Sequence, residues 1–443
     1  MKNLNDRYAE IIKTRYEENT ISGKAAVEYM QNSTAVYKGV PVACLYMPKV
    51  FSTQAVEFLR GASATICTIL DKVIQRYFDD ADYRSLFPFS KELEELILLE
   101  SGYPRLLPIA RLDIFFNEED FTFKFCEFNA DGSSAMNEDR EINLAVQSTD
   151  AFLHMQKEYR LTSFELFDSW VKEFMDIYSH YNKKVLSPKI MITDFMEKGT
   201  PNEFIEFKKA FKKAGLDADI CDIREFGKTA KADAVYRRAV TRDIIENKNE
   251  ASGFLQAARD NTMCIIGHFR TQIIHNKAIF MILRKHETLE FLTKEEQEYI
   301  IRHIPETLPL KSVNQPVSTV SLDDVIKNKD EWIIKPEDFY ASKGVYAGIG
   351  MDTDAWQSIL QESINSSVPY LLQEYHKPYR SVNINFNKNN RPDFEMYNNI
   401  TGMFVYNGKL TGLYSRAGQQ NTISSDAGGL TLASVMASDY NRI

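Results

Sequence analysis

The chain has 443 residues, 44% of them hydrophobic and 26% charged, with a formal net charge of −9. That length exceeds one ordinary hydrophobic core and predicts two or three lobes, while the acidic balance argues against a nucleic-acid partner bound by phosphate neutralisation. No apolar run is long enough to cross a bilayer, and five cysteines without a C-x-x-C pair argue against a disulfide framework or a zinc site and fit a reducing cytoplasm.

The start, MKNLNDRYAEIIKTRYEE, is polar and amphipathic, unlike a secretory signal. The first hundred residues read as mostly helical. In TQAVEFLRGASATICTILDKVIQRYF, Leu59, Ala62, Ile66, Leu70, Val73 and Tyr77 keep the three-to-four spacing of a buried helix face. Next comes RLDIFFNEEDFTFKFCEFNADGSS, two β-rich runs joined by a polar turn. Asp131-Gly-Ser-Ser then opens a helix expected to run through Ile142 to about Tyr159, whose free N–H groups make a modest anion site near Ser133 and Ser134.

From Lys189 strand and helix alternate: KIMITDF, PNEFIEFKKAFKKAG, LDADICDI, ADAVYRR and TMCIIGHF. This predicts a βαβ lobe with a parallel sheet; without G-x-G-x-x-G it is not a dinucleotide fold. Lys208, Lys209, Lys212 and Lys213 fall at helical spacing, as on a solvated face. A helical connection follows from about Asn276, and Thr293-Lys-Glu-Glu296 reads as a capping box. The remainder, from about Val317, reads as strand-rich with helices near 353–365 and 426–437.

The chemistry is concentrated in the hairpin. Side chains alternate along a strand, so Arg111 and Asp113 share one face of the first arm, and Glu127 and Asn129 one face of the second. A turn of three or five residues, for instance Asn117 to Phe121, sets Arg111 opposite Glu127 and gathers all four; a four-residue turn separates them. Two carboxylates and an amide oxygen suit Mg²⁺ beside phosphates, and an arginine suits a transferring phosphoryl group. The bland alternative is a surface hairpin with solvated charges, against which stands the placing of Glu127 among aromatics.

The segment EWIIKPEDFYASKGVYAGIGM supplies a strand ending in Lys335, stopped by Pro336, then a small-residue loop with Ser342, Lys343 and Gly344 ahead of another strand. Lys335 suits the α and β phosphates of a nucleotide, and the loop N–H groups could close over them. YLLQEYH ends in Gln373 and Glu374, placed to read an adenine edge and ribose or simply to end a strand. TGLYSRAGQQNTIS places Arg416 and Asn421 in a turn-rich context, Arg416 as a substrate clamp or a structural ion pair. His268 and His275 read as core or cap residues.

The order R-x-D…E-x-N, then N-K, then K-P with a glycine-bearing loop, then Q-E-Y, resembles the circularly permuted ATP-grasp ligases, most closely the glutathionylspermidine synthase type, over roughly residues 100–430. The resemblance implies an α+β, permuted ATP-grasp fold. Its parts are a helical region at 1–100, a hairpin and helix at 101–184, a Rossmann-like lobe at 185–276 and nucleotide-binding lobes at 277–443. It also implies Asp113, Glu127 and Asn129 as magnesium ligands and Arg111 as the group steadying the acyl phosphate. Lys277 and Lys335 match the two ATP lysines, though a lysine like Lys277 at a helix start is commonly just solvated. Tyr236, Arg237 or Arg238 is implied to face the cleft, the arginines alternatively pairing with local acids such as Asp243. The implied activity is an ATP- and Mg²⁺-dependent carboxylate–amine ligase on a small amino acid, peptide or polyamine, lidded by residues 338–345. The alternatives are a small-molecule kinase on the same fold or a nucleotide-binding regulator without turnover. A homodimer is the default assembly.

Overall fold

The computed structural model describes residues 1–315, 320–338, 343–387, 392–423 and 428–439. Its centre is an antiparallel sheet in which Leu430–Leu432, Lys409–Gly418, Phe394–Tyr406, Ile109–Phe116 and Phe123–Asn129 lie side by side, with Arg380–Ile384 also pairing with Phe394–Tyr406. Strand alternation divides its residues between two faces. Leu112, Ile114, Phe125, Phe128 and Met403 join the core beneath the 27-residue helix Thr53–Asp79, whose Leu59, Ile66, Leu70, Val73 and Tyr77 are all fully buried. Arg111 and Asp113, which flank Leu112 in sequence, fall on the other face.

Three further sheets surround this one. Cys264–Ile266, Ala234–Arg237, Lys189–Asp194 and Asp217–Asp222 form a parallel sheet in that spatial order. The chain builds outward from Lys189–Asp194 first to one side and then to the other, leaving a crevice at the C-terminal ends of Lys189–Asp194 and Ala234–Arg237. The lysine-rich helix Pro201–Lys213 packs on this sheet. Thr307–Pro309, Tyr370–Glu374, Trp332–Pro336 and Tyr346–Ala347 form an antiparallel sheet. Lys49–Ser52, Ser434–Ser438 and Arg160–Ser163 form the last, so a strand near the C-terminus is sandwiched between two from the first half of the chain. The Thr293 capping box is present on Lys294–His303.

Several expectations are corrected. The stretch read as a helix near 426–437 carries the strands Leu430–Leu432 and Ser434–Ser438, because pairing partners on both sides outweigh its local helical pattern. The helix after Asp131 begins at Met136, breaks at Gln147 and resumes as Asp150–Met155, with Thr149 Oγ1 donating to the Val146 carbonyl at the break. Pairing does not stop before Pro336, which stands opposite Tyr370. On its other side the neighbouring strand has already ended, so its missing N–H goes unneeded. Arg416 lies inside the strand Lys409–Gly418, not in a turn. Among the described residues no helix is long and apolar enough to cross a membrane.

Candidate functional site

The hairpin solves its register differently from either expectation. Phe116 pairs with Phe123, leaving a six-residue connection, and by alternation alone this would turn Glu127 onto the core face. A β-bulge at Cys126 absorbs one residue, so Asp113 stands opposite Glu127 and Arg111 opposite Asn129. All four side chains then share a face. The bulge does more: the extra residue lies outside the ladder, and its carbonyl accepts from Lys335 Nζ at 3.3 Å.

Asp113 is 1% exposed and heavily engaged. Arg111 binds it in fork fashion (Nε to Oδ1 2.7 Å, Nη2 to Oδ2 3.1 Å), Arg416 Nη2 donates to Oδ2 at 2.9 Å, and Asn129 Nδ2 reaches the same oxygen at 3.3 Å. Both guanidiniums lie over the ring of Tyr414, at 5.5 and 5.8 Å, and the Tyr414 hydroxyl donates to Glu138 at 2.6 Å. Gly402, opposite Asp113 on the neighbouring strand, makes room: a Cβ there would come within 2.8 Å of both Arg111 Cδ and Asp113 Oδ1.

Lys277 Nζ lies 3.1 Å from Glu127 Oε1, and the Lys277 N–H donates to the Glu337 carbonyl, so this lysine ties the hairpin to the end of the Lys335 strand. Burial alone would raise the Glu127 pKa, but Lys277, by charge and hydrogen bond, together with Lys335 and His275, brings it down to about 2. Lys335 itself is buried and bonds Gln373 Oε1 at 2.8 Å, while Gln373 Nε2 donates to Thr307 at 2.9 Å. The Gln373 side chain is therefore spent on orienting the lysine, not on an adenine edge. The backbone N–H groups of Glu374 and Tyr375 are likewise taken, by the carbonyls of Glu306 and Glu331.

Most of these groups line one cavity of about 500 Å³, but Asp113, covered by the two arginines, does not. At one end are Ile333, Lys335, Val345, Gln373, Glu374, Tyr375 and His376; in the middle Arg111, Glu127, Asn129, His275, Lys277 and Arg416; beyond them Ser133, Ser134, Glu138, Asp194, Lys198, Arg238 and Asp243. Of the loop expected to form a lid, Val345 reaches the wall; Lys343 and Gly344 do not line it, and Ser342 lies outside the described residues. Asn421 also lines the cavity and accepts from the Tyr375 hydroxyl at 3.2 Å through its carbonyl.

At the far end the tight approach of two segments is set by Gly132, whose φ is +66° and where a Cβ would come within 2.5 Å of the Arg238 carbonyl. Ser134 contributes its carbonyl, accepting from Arg111 Nη1 at 2.9 Å, and Ser133 donates to the Asn129 carbonyl. Arg237 does not line the cavity. It is buried on Asp131, the Gly267 carbonyl and Thr241, while Tyr236 is buried in the core. Arg238 lines the cavity yet pairs with Glu203 at 2.6 Å, and Asp243 pairs instead with Lys198 at 2.8 Å. Asp194 ends the first parallel strand at the sheet's crevice. Burial pushes its carboxyl up to about 7 against the pull of Arg238, with Asp243 adding to the rise.

The sequence does not single out His275, Asp194, Lys198, Glu138 or Tyr414 as site residues, and it reads His275 as a core or cap residue. Only Asp194 had a usable signal, its place at the C-terminal end of the strand where the sheet reverses direction. For a divalent cation the donor set is partly ready: Glu127 and Asn129 face the cavity, whereas both Asp113 oxygens serve the arginines. Among the described residues no group of three His, Cys, Asp or Glu side chains is spaced to hold a metal ion, so the Asn129 amide oxygen is needed to complete a set.

No family model matches the sequence, and no curated protein matches it. Among solved structures the chain is similar to D-cycloserine synthetase at 14% identity and a TM-score of 0.32, over 57% of this chain and 76% of that one. It is also similar to the apo form of a glutathione synthetase-like effector from Globodera pallida at 11% identity and a TM-score of 0.60, over 94% of this chain and 96% of that one. The latter likeness spans nearly all of both chains, and so this α+β chain has the fold of the glutathione synthetase-like effector.

Proposed function

We propose that the protein is an ATP-dependent ligase of the permuted ATP-grasp kind, which activates a small carboxylate as an acyl phosphate and passes it to an amine. The observation that carries this reading is the meeting of Lys277 and Lys335 with the face of the Arg111–Asn129 hairpin in one cavity. The effector that shares the fold is named for its likeness to a glutathione synthetase, which supports an ATP-consuming ligase.

In this scheme Lys335, steadied by Gln373 and the Cys126 carbonyl, holds nucleotide phosphates at the end lined by Ile333 and Tyr375. Glu127 and Asn129 would hold the metal ion from the cavity side, with Asp113 behind them keeping Arg111 and Arg416 in place. Bound Mg²⁺ supplies charge neutralisation for the β and γ phosphates. A substrate carboxylate oxygen attacks the γ phosphorus and ADP leaves. The amine nitrogen then attacks the acyl carbon, phosphate leaves, and the amine gives up a proton. Arg111 and Arg416, already fixed by Asp113 and Tyr414, stabilise the negative charge that develops on oxygen. The substrates occupy the end lined by Ser133, Ser134 and Arg238.

The test is hydroxamate formation from ATP, Mg²⁺ and a pool of amino acids and short peptides, with hydroxylamine as a general acceptor. Hydroxamate together with phosphate release is the expected result. A phosphorylated product without amine-dependent phosphate release would point to a kinase, and ATP binding without turnover on any pool would point to a regulator.

A further inference from the structure

The far end of the cavity holds a carboxylate that the proposed chemistry leaves unused. Asp194 closes the strand Lys189–Asp194 at the crevice of the parallel sheet, lines the cavity and is 7% exposed. Its Oδ1 accepts from the Phe195 N–H at 2.8 Å. Among the described residues no donor reaches Oδ2, which lies toward Gly199 of the cavity wall. A Cβ at Gly199 would come within 2.7 Å of that oxygen, so the missing side chain leaves room beside it.

The other charges at this end are engaged elsewhere. Lys198 pairs with Asp243 at 2.8 Å, and Glu197 pairs with Arg224. Arg238 spends its Nη groups on the Tyr236 hydroxyl and Glu203, and meets Asp194 through charge alone. Glu138 accepts from the Tyr414 hydroxyl and feels the charges of Arg416 and Arg111. Lys38, in the turn of a small hairpin of Val36–Tyr37 and Val40–Pro41, reaches the wall with its ammonium 4.9 Å from the centre of the Tyr37 ring. Burial therefore outweighs the charges around Asp194 and pushes its carboxyl up to about 7. A carboxamide would satisfy the Phe195 N–H equally well, so the negative charge brings the fold only a cost until a cation arrives.

We propose that Asp194 selects the substrate: its Oδ2 receives a primary ammonium group of the carboxylate substrate, at the end remote from the carboxylate that reacts. A hydroxyl or amide N–H would fill the hydrogen bond but leave the buried charge uncompensated. The inference rests on the ligase reading and adds to it a substrate with a free amino group.

The hydroxylamine assay tests it with the pool of amino acids and short peptides and with the same pool N-acetylated, which removes the ammonium. Wild-type protein should form hydroxamate about tenfold faster from the free pool at subsaturating concentration. Asp194→Asn, which keeps the shape and the bond from Phe195, should bring the two pools within about twofold. For the most active member of the free pool it should raise KM about tenfold with kcat little changed, a split that loss of folding does not give. A wild-type preference that persists in Asp194→Asn, or no wild-type preference, overturns the role of Asp194 while leaving the ligase standing. Hydroxamate from other carboxylates but from neither pool also overturns it, and a protein that binds no ATP removes the ligase reading itself.

Discussion

Lys335, proposed to hold nucleotide phosphates, shows how a buried cation is kept in place. Its ammonium is buried but not left bare, because Gln373 and the bulged Cys126 carbonyl each accept from it. Lys335→Ala should lower kcat/KM by about 10²–10³-fold with the fold intact. Gln373→Leu should cost about tenfold, since the lysine keeps one of its two holders; steady-state rates with circular dichroism as a folding control measure both. Asp194 gives a prediction of opposite kind. Its folded pKa of about 7 stands above the ordinary 3.8, so the protonated carboxyl contributes stability that is complete below about pH 4 and lost as pH rises through 7. Asp194→Asn should therefore match wild type near pH 4 and exceed it at pH 8 by on the order of 2–4 kcal/mol. Denaturant midpoints at the two pH values decide it.

The hairpin is the element on which the site depends. The spacing of Arg111, Asp113, Glu127 and Asn129 was legible in the sequence, but their register was not, because a single bulged residue has no sequence signature and shifts everything beyond it by one position. Arg416 was misread for a related reason. Gly412 and Gly418 suggest turns, yet Phe394–Tyr406 holds that whole segment as a strand and so delivers Arg416 to Asp113. The same neighbouring strand supplies Gly402, and Gly402→Ala should push Asp113 and Arg111 apart. We expect about 1–3 kcal/mol of lost stability and a larger relative loss of turnover, read by denaturant melts alongside hydroxamate formation.

At the scale of the molecule, the cavity exists because lobes from distant parts of the chain are tied together by buried charges. Arg237 on the parallel sheet and Asp131 at the end of the hairpin have side chains 1% and 0% exposed. Asp131→Ala would strand a buried guanidinium and should cost about 3–5 kcal/mol, lowering the thermal midpoint without touching any group proposed to meet substrate. On the proposed mechanism, chelation of Mg²⁺ should abolish turnover while leaving that midpoint nearly unchanged, since the buried Arg237–Asp131 pair needs no metal.

What the sequence determined by itself were the features that short-range physics controls. The periodicity of Thr53–Asp79, the Thr293 capping box, the strand–helix alternation after Lys189 and the chemical character of the hairpin all follow from neighbours within a few residues. The tertiary structure decided the bulge at Cys126, the strands at Leu430–Leu432 and Ser434–Ser438, the diversion of Gln373 to Lys335 and of Arg237 to Asp131, and the reach of the 36–41 hairpin into the cavity. Each of these is a choice of partner between residues tens to hundreds of positions apart. Local propensity is worth too little, against pairing and burial, to announce such choices in advance.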